Sequence, residues 1–465
     1  MRRTTIRAAV AAAWLVCGQI ALCPAADNDA DKPVDRLTPE EIKAFRQYMA
    51  EKAAAAEKAR QADRAERADI IKGIARGQGP AKGYSVWSNL EIEIYGYIKL
   101  DGSYDTSRTN AGNFARWVLS ENGATTAAGT GAARDDDQFN MTANQTRLGL
   151  KITNPRDGAI KTRGQVEVDF FGAGAAENRP QPMMRHAYIA IEWPEQKFSI
   201  IAGQTWDVIS PLNPSTVNYA VQWWAGNIGY RRPQIRLTQA VDLDDARTLT
   251  VQAAVVRAIG HGTFGGFDPG DTGEDAGFPG VQGRVAVTCP LVDGRKATVG
   301  LSGHFQPEEY DTNASGRNDD LCSWSANVDV KVPVNDWLTL QGEGFLGQNL
   351  DAFLGGIGQG IEVTTVGALV TQISEIRSMG GWVAAAARPE GPWAFNLGAS
   401  GEMIDEDDVA VATTRTSNST VFVNTVYQIT DSASVAAEIA NWYTQYKRTD
   451  SGHSVRFQVA FKYDF

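Results

Sequence analysis

The sequence predicts an all-β transmembrane barrel of about sixteen antiparallel strands, preceded by an N-terminal α-helical, coiled-coil-like segment. Three observations carry this. From residue 90 onward, polar and apolar residues alternate with a period of two in segment after segment. The connections between these segments alternate short and long to the end of the chain. The last segment, SVRFQVAFKYDF, is wholly apolar on one face and almost wholly polar on the other. A soluble sandwich hides its apolar faces inside. A sheet that is greasy outside and charged inside suits lipid on one side and a watery lumen on the other. Lipid offers no partner to an open sheet edge, so the sheet must close and the last strand must pair with the first.

The elements follow in order. Arg2, Arg3 and Arg7 precede an apolar stretch over residues 8–22 that ends in Cys23-Pro24-Ala25, the pattern of a cleaved secretory signal over residues 1–25. Its removal takes the formal charge from −11 to near −14 (−11 minus 3), a balance that argues against a nucleic-acid partner. Residues 26–82 hold a charged linker and then a segment rich in Ala, Glu, Lys and Arg. Thr38 and Glu41 have capping-box spacing, and Ile42, Phe45, Met49, Ala53 and Ala56 trace an apolar stripe. This reads as a periplasmic coiled coil of several chains, the alternative being a lone solvated helix. The barrel occupies residues 83–465. Its strands are expected near 90–104, 139–152, 159–171, 183–193, 197–205, 232–241, 247–258, 281–288, 296–305, 323–332, 338–346, 378–388, 393–402, 415–429, 434–446 and 453–465. Long connections are expected near 105–138, 172–182, 206–231, 259–280, 306–322, 347–377, 403–414 and 447–452. Cys289 and Cys322 fall at opposite rims of this layout, too far apart for a disulfide.

The connection 206–231 is too apolar for a solvated loop. It contains Trp206, Asp207, Trp223 and Trp224 and ends in Arg231 and Arg232. Folded into the lumen it would narrow it; otherwise its tryptophans would pack a neighbouring subunit. Arg147, Lys161, Arg163, Arg236 and Arg284 fall on lumenal faces and, with Arg231 and Arg232, would favour anions. Glu167, Asp169, Glu192 and Glu343 also face inward, so a salt-bridged wall is the competing reading. Arg231 and Arg232 are expected at the narrowest point. Acidic runs at 135–138, 267–275 and 405–408 are either solvated loop charge or sites where divalent cations bridge to lipopolysaccharide. No GxSxG, HExxH or CxxC motif appears, no pattern calls for a cofactor or metal, and His186 reads as a hydrogen-bonded wall residue.

Four stretches, FNMTANQTRLGL at 139–150, GQVEVDFFG at 164–172, RHAYIAIEWP at 185–194 and AGQTWDVISPLNPSTVNYAVQWWAGNIGYRRPQIRLT at 202–238, resemble the DcaP-like outer-membrane porins. The resemblance spans roughly residues 80–465. It implies a homotrimer of sixteen-stranded barrels with a periplasmic helical segment, passing small, mostly anionic solutes such as dicarboxylates. Outer-membrane lipid, lipopolysaccharide and the barrel assembly machinery, which reads a terminal Phe such as Phe465, are the further partners expected. A plugged structural barrel whose helix tethers the membrane to the cell wall is the alternative.

Overall fold

The computed structural model describes residues 90–121, 136–172, 179–260, 273–291, 293–312, 317–366 and 369–465. The expected signal peptide, the helical segment with its Thr38–Glu41 cap, and most of the acidic run at 267–275 lie outside the described residues.

The strands are β1 (Glu91–Asp105), β2 (Gln138–Thr142), β3 (Arg147–Thr153), β4 (Lys161–Asp169), β5 (Met183–Trp193), β6 (Phe198–Trp206), β7 (Arg231–Asp242), β8 (Thr248–Val256), β9 (Gly280–Pro290), β10 (Lys296–Thr312), β11 (Arg317–Pro333), β12 (Leu338–Gln348), β13 (Ile361–Val366), β14 (Leu369–Glu375), β15 (Arg377–Ala387), β16 (Trp393–Ile404), β17 (Arg415–Gln428), β18 (Ala433–Tyr446) and β19 (Gly452–Asp464). All but β13 and β14 form one antiparallel sheet in which each strand pairs with its neighbours in sequence. β2 pairs with the Asp101–Asp105 end of β1 and β3 with its Glu91–Tyr97 end, so β2 and β3 are one stave broken at residues 143–146. Counted so, the sheet has sixteen staves, and each of the sixteen expected segments coincides with one of them.

The sheet closes where the terminal strand predicted it. β19 pairs with β1 from Tyr97↔Asp464 to Asp105↔Arg456, and Gly96 and Phe465 exchange backbone hydrogen bonds of 3.1 and 3.2 Å. Phe461 is 58 % exposed and Arg456 only 1 %, which settles the outward face. The same alternation puts Ile94 and Ile98, Val421 and Val423, and Leu397 and Met403 outside. The exterior is therefore an apolar surface of the kind that meets lipid. Short connections all lie at the rim where the chain ends, which this topology places in the periplasm.

Two long connections differ from expectation. Residues 306–322 are largely strand: β10 and β11 stay paired out to Thr312↔Arg317. The sequence there is polar on both faces, which reads as loop, but a ladder that projects beyond the lipid needs no apolar face. Residues 349–376 carry a short 3₁₀ turn, Asp351–Phe353, and the β13–β14 hairpin, which stands apart from the barrel sheet.

Cys289 and Cys322 are both free thiols. Cys289 sits opposite Ala297 and Cys322 opposite Pro307 on the same strand β10. At a rise of about 3.3 Å per residue, that separation along β10 is about 33 Å. Alkylation of the denatured, unreduced protein should label both cysteines by mass spectrometry; an intramolecular bridge would contradict the order of strands between them.

Candidate pore constriction

The lumen is shaped by residues 207–230, which turn inward between β6 and β7. Their two ends are tied at Asp207. Its backbone N–H donates to Tyr230 O at 2.8 Å, and its buried carboxylate accepts from Tyr230 N at 2.8 Å and Gln282 Nε2 at 2.7 Å. Arg232 Nε pairs with Asp207 Oδ1 at 2.8 Å.

The rest of the loop is fastened to the wall by side chains that supply the hydrogen bonds its irregular backbone lacks. Glu343 of β12 accepts from Ser210 Oγ at 2.6 Å and Leu212 N at 2.8 Å. Glu438 of β18, buried behind the loop, accepts from Val217 N at 2.6 Å and Asn218 N at 3.2 Å. Donors match these acceptors. Gln341 reaches Asn213 O, Asn424 reaches Ser215 O, and Lys99 and Gln458 both reach Val217 O. Val221, Gln222 and Trp224 hold positive φ, which costs about 1–3 kcal/mol for each such residue unless its surroundings over-determine it. At Gly226 the backbone passes so close to the wall that a Cβ would stand 2.3 Å from Gly381 O, so only glycine fits.

Trp223 is buried, with its ring centroid 5.9 Å from Trp206, 5.6 Å from Tyr230 and 6.2 Å from Trp224. Trp224 continues the series to Trp117 at 6.4 Å. The tryptophans thus pack inside the barrel, on the residues that follow β1, and not on its outer surface.

The loop lies on the wall from β12 through β19 to β1. It meets the opposite wall at Tyr219, whose hydroxyl donates to Asp169 at 3.1 Å. Burial first, and Asp169 next, push the Tyr219 phenol pKa upward, so it stays a donor. Behind it, Arg185 bonds Glu167 at 2.7 Å and Asp169 at 2.8 Å, and Arg147 lies 3.5 Å from Glu167. Arg185 was not singled out in the sequence because strict alternation cannot put it and His186 on the same side. A register shift at Glu167/Val168 does so. His186 is a wall histidine, its Nδ1 3.1 Å from Thr205 Oγ1.

The expected site residues separate by their partners. Arg163 pairs with Glu192 at 2.8 Å, Arg284 makes two bonds to Asp329 at 2.7 and 2.9 Å, and Arg147 faces Glu167. Lys161 lies at the periplasmic rim, its Nζ donating to Asp157 O in the turn, remote from the loop. Arg232 is 0 % exposed and is held by Asp207, Gln306 and the carbonyl of Ala352 over the Phe353 ring. It clamps the loop and cannot line the opening, contrary to the expectation from its position beside Arg231. Arg231 is buried as well and differs only in its partners. It is 2 % exposed, lies 4.7 Å over Trp206 and 4.6 Å over Tyr230, and none of its three guanidinium nitrogens has a hydrogen-bond partner. Arg236, five residues further along β7, forms no ion pair among the described residues. The acidic run 405–408 is engaged locally, Asp405 and Asp408 both pairing with Arg377.

No protein-family model and no curated protein matches the chain. Among solved structures, the outer membrane channel DcaP of Acinetobacter baumannii aligns over 83 % of this chain and 100 % of its own, at 19 % identity and a TM-score of 0.64. The chain has that channel's fold. It is a multi-pass β-barrel of the outer-membrane kind. The anion-selective porin from Comamonas acidovorans aligns over 81 % of this chain and 100 % of its own (13 % identity, TM-score 0.47), and the trimer form of OmpT from Vibrio cholerae over the same shares (10 %, 0.48).

Replacing Glu438 by Ala removes the acceptor of two loop amides. Hydrogen bonds to charged groups contribute about 1.5–3 kcal/mol, so the amides of Val217 and Asn218 should exchange with solvent roughly tenfold to a hundredfold faster in the barrel that still forms. Unchanged exchange at both would mean that the carboxylate does not hold the loop.

Proposed function

We propose that this protein is a DcaP-like outer-membrane porin for passive diffusion of small hydrophilic anions, dicarboxylates among them. The observation that carries the reading is the distribution of unpaired charge at the in-folded loop. Most lumenal cations stand beside carboxylates and contribute little net field: Arg163 with Glu192, Arg284 with Asp329, Arg185 with Glu167 and Asp169, Lys99 with Asp101. Arg231 and Arg236 have no such partner among the described residues. An uncompensated guanidinium beside a narrow, low-dielectric passage attracts anions and repels cations through its field.

The likeness in fold to an outer membrane channel supports the porin reading over a plugged structural barrel. We further propose that three copies associate, that residues 38–76 extend or hold this oligomer on the periplasmic side after removal of residues 1–25, and that outer-membrane lipid, lipopolysaccharide and the barrel assembly machinery are its partners. The stripe of Ile42, Phe45 and Met49 supports the oligomer assignment, and the apolar barrel exterior supports the contact with lipid.

In planar bilayers under a KCl gradient, the wild type should show stepwise channels with an anion-favouring reversal potential. The Arg231→Gln/Arg236→Gln variant should shift that potential towards cations, and an unshifted value would remove these two residues from the account of selectivity. Deleting residues 38–76 should leave conducting barrels; failure of all membrane insertion would overturn the accessory role of that segment.

A further inference from the structure

We propose that Arg116 and Arg415, both packed on the indole of Trp117 at the extracellular mouth, form a capture site for carboxylate solutes before the constriction. The proposal rests on the porin reading and deepens it by placing a second anion site outside the loop.

The site is built rigidly. Residues 112–120 follow β1 and fold inward. Trp117 is buried among Ile357, Ile376, Ile404 and Val409. On one side of it, Ala115 and Asn218 of the constriction loop exchange hydrogen bonds of 3.1 Å. On the other, Val118 N donates to Thr444 Oγ1 at 2.9 Å, and Asn418 Nδ2 donates to Arg116 O at 2.7 Å. Arg415, the first residue of β17, is locked through its backbone to both ends of the Gln359 amide, at 3.0 and 2.8 Å. Its Nε donates to Ile357 O at 3.0 Å. The guanidinium of Arg415 stands 4.1 Å from the Trp117 ring centroid and that of Arg116 4.7 Å from it.

Two like charges on one ring repel, and a protein normally sets a carboxylate between them. Here no carboxylate lies within ion-pair distance of either guanidinium among the described residues, in a chain whose formal charge is −11. Among the described residues Arg116 makes no side-chain hydrogen bond, and its Nε is buried without one. Burial lowers its pKa and nothing offsets the shift. Both side chains keep partial exposure, so a solute can reach them. Two guanidinium forks with free donors, backed by an indole, present the geometry that binds a carboxylate in two-pronged fashion.

The site also leads inward. Arg116 lies 5.0 Å over Trp224, and the ring series from Trp224 through Trp223 ends on Trp206 and Tyr230, the two rings that hold Arg231. One aromatic wall therefore joins Arg116 to the next unpaired cation, Arg231, whose buried charge acts through its field.

The test uses malonate as the probe and the full chain purified in detergent. Calorimetric titration of the wild type should show millimolar or tighter binding. Arg116→Gln/Arg415→Gln should weaken it by about fivefold or more, whereas Arg116→Lys, which keeps the charge, should retain part of the affinity. Because Arg415 also bonds Ile357, the single variant Arg116→Gln, whose side chain makes ring contacts but no hydrogen bond among the described residues, serves as the control for folding and should weaken binding by itself. In bilayers, malonate added on the extracellular side should interrupt the wild-type current more often than malonate added on the periplasmic side, and the double variant should lose that asymmetry. Equal malonate affinity in wild type and both Gln variants, or no wild-type binding, overturns the proposal. Binding that depends on Arg116 in a barrel that does not conduct would leave the site standing and remove the porin reading instead.

Discussion

The structure depends on one constraint: in lipid, each backbone N–H and C=O of the spanning sheet must find its partner within the sheet. The seam between β1 and β19 is where that constraint is met, and the lumenal side chains show how its register is set. Arg456 of β19 bonds Asp105 at 2.8 Å and Ser103 at 2.8 Å, and Gln458 bonds Asp101 at 2.9 Å, all of them buried. A slip of one residue would turn Arg456 outward, leave Asp105 without its partner, and bring Phe457 and Phe461 into the polar lumen. The polar half of the last strand is thus the lock of the barrel, and the aromatic half is its lipid surface.

Closure creates the second problem, a lumen wide enough to leave the barrel non-selective. The chain fills part of it with residues 207–230, and the fastening is asymmetric. Glu343 and Glu438 take up loop amides on the side of β12 to β19, and Tyr219 reaches across to Asp169 of β4. The carboxylates lie between loop and wall, and the cations opposite them are mostly paired. Among the described residues, three arginines without an ion pair are held by aromatic rings: Arg231 on Trp206 and Tyr230, and Arg116 and Arg415 on Trp117. A ring attracts a cation through its quadrupole without cancelling its charge. An arginine held in this way keeps an uncompensated charge, whereas one held by Asp329, like Arg284, does not.

The sequence by itself determined the staves, their facing and their closure, because a period of two is a local property and lipid enforces it on every segment. It also placed the in-folded loop, through an excess of tryptophan that solvent would not tolerate. It did not show that β10 and β11 remain paired to Thr312 and Arg317, since outside the lipid the ladder carries no alternation to read. Only the tertiary structure decided which lumenal arginines are spent. Arg231 and Arg232 are adjacent in sequence and differ in their partners, because Asp207 reaches one and two aromatic rings enclose the other. Arg185 entered the lumen through a bulge, and Arg116 met Arg415 across some three hundred residues of chain. Pairing is a matter of distances between strands and loops far apart in sequence, and no local pattern encodes which carboxylate will stand beside which guanidinium.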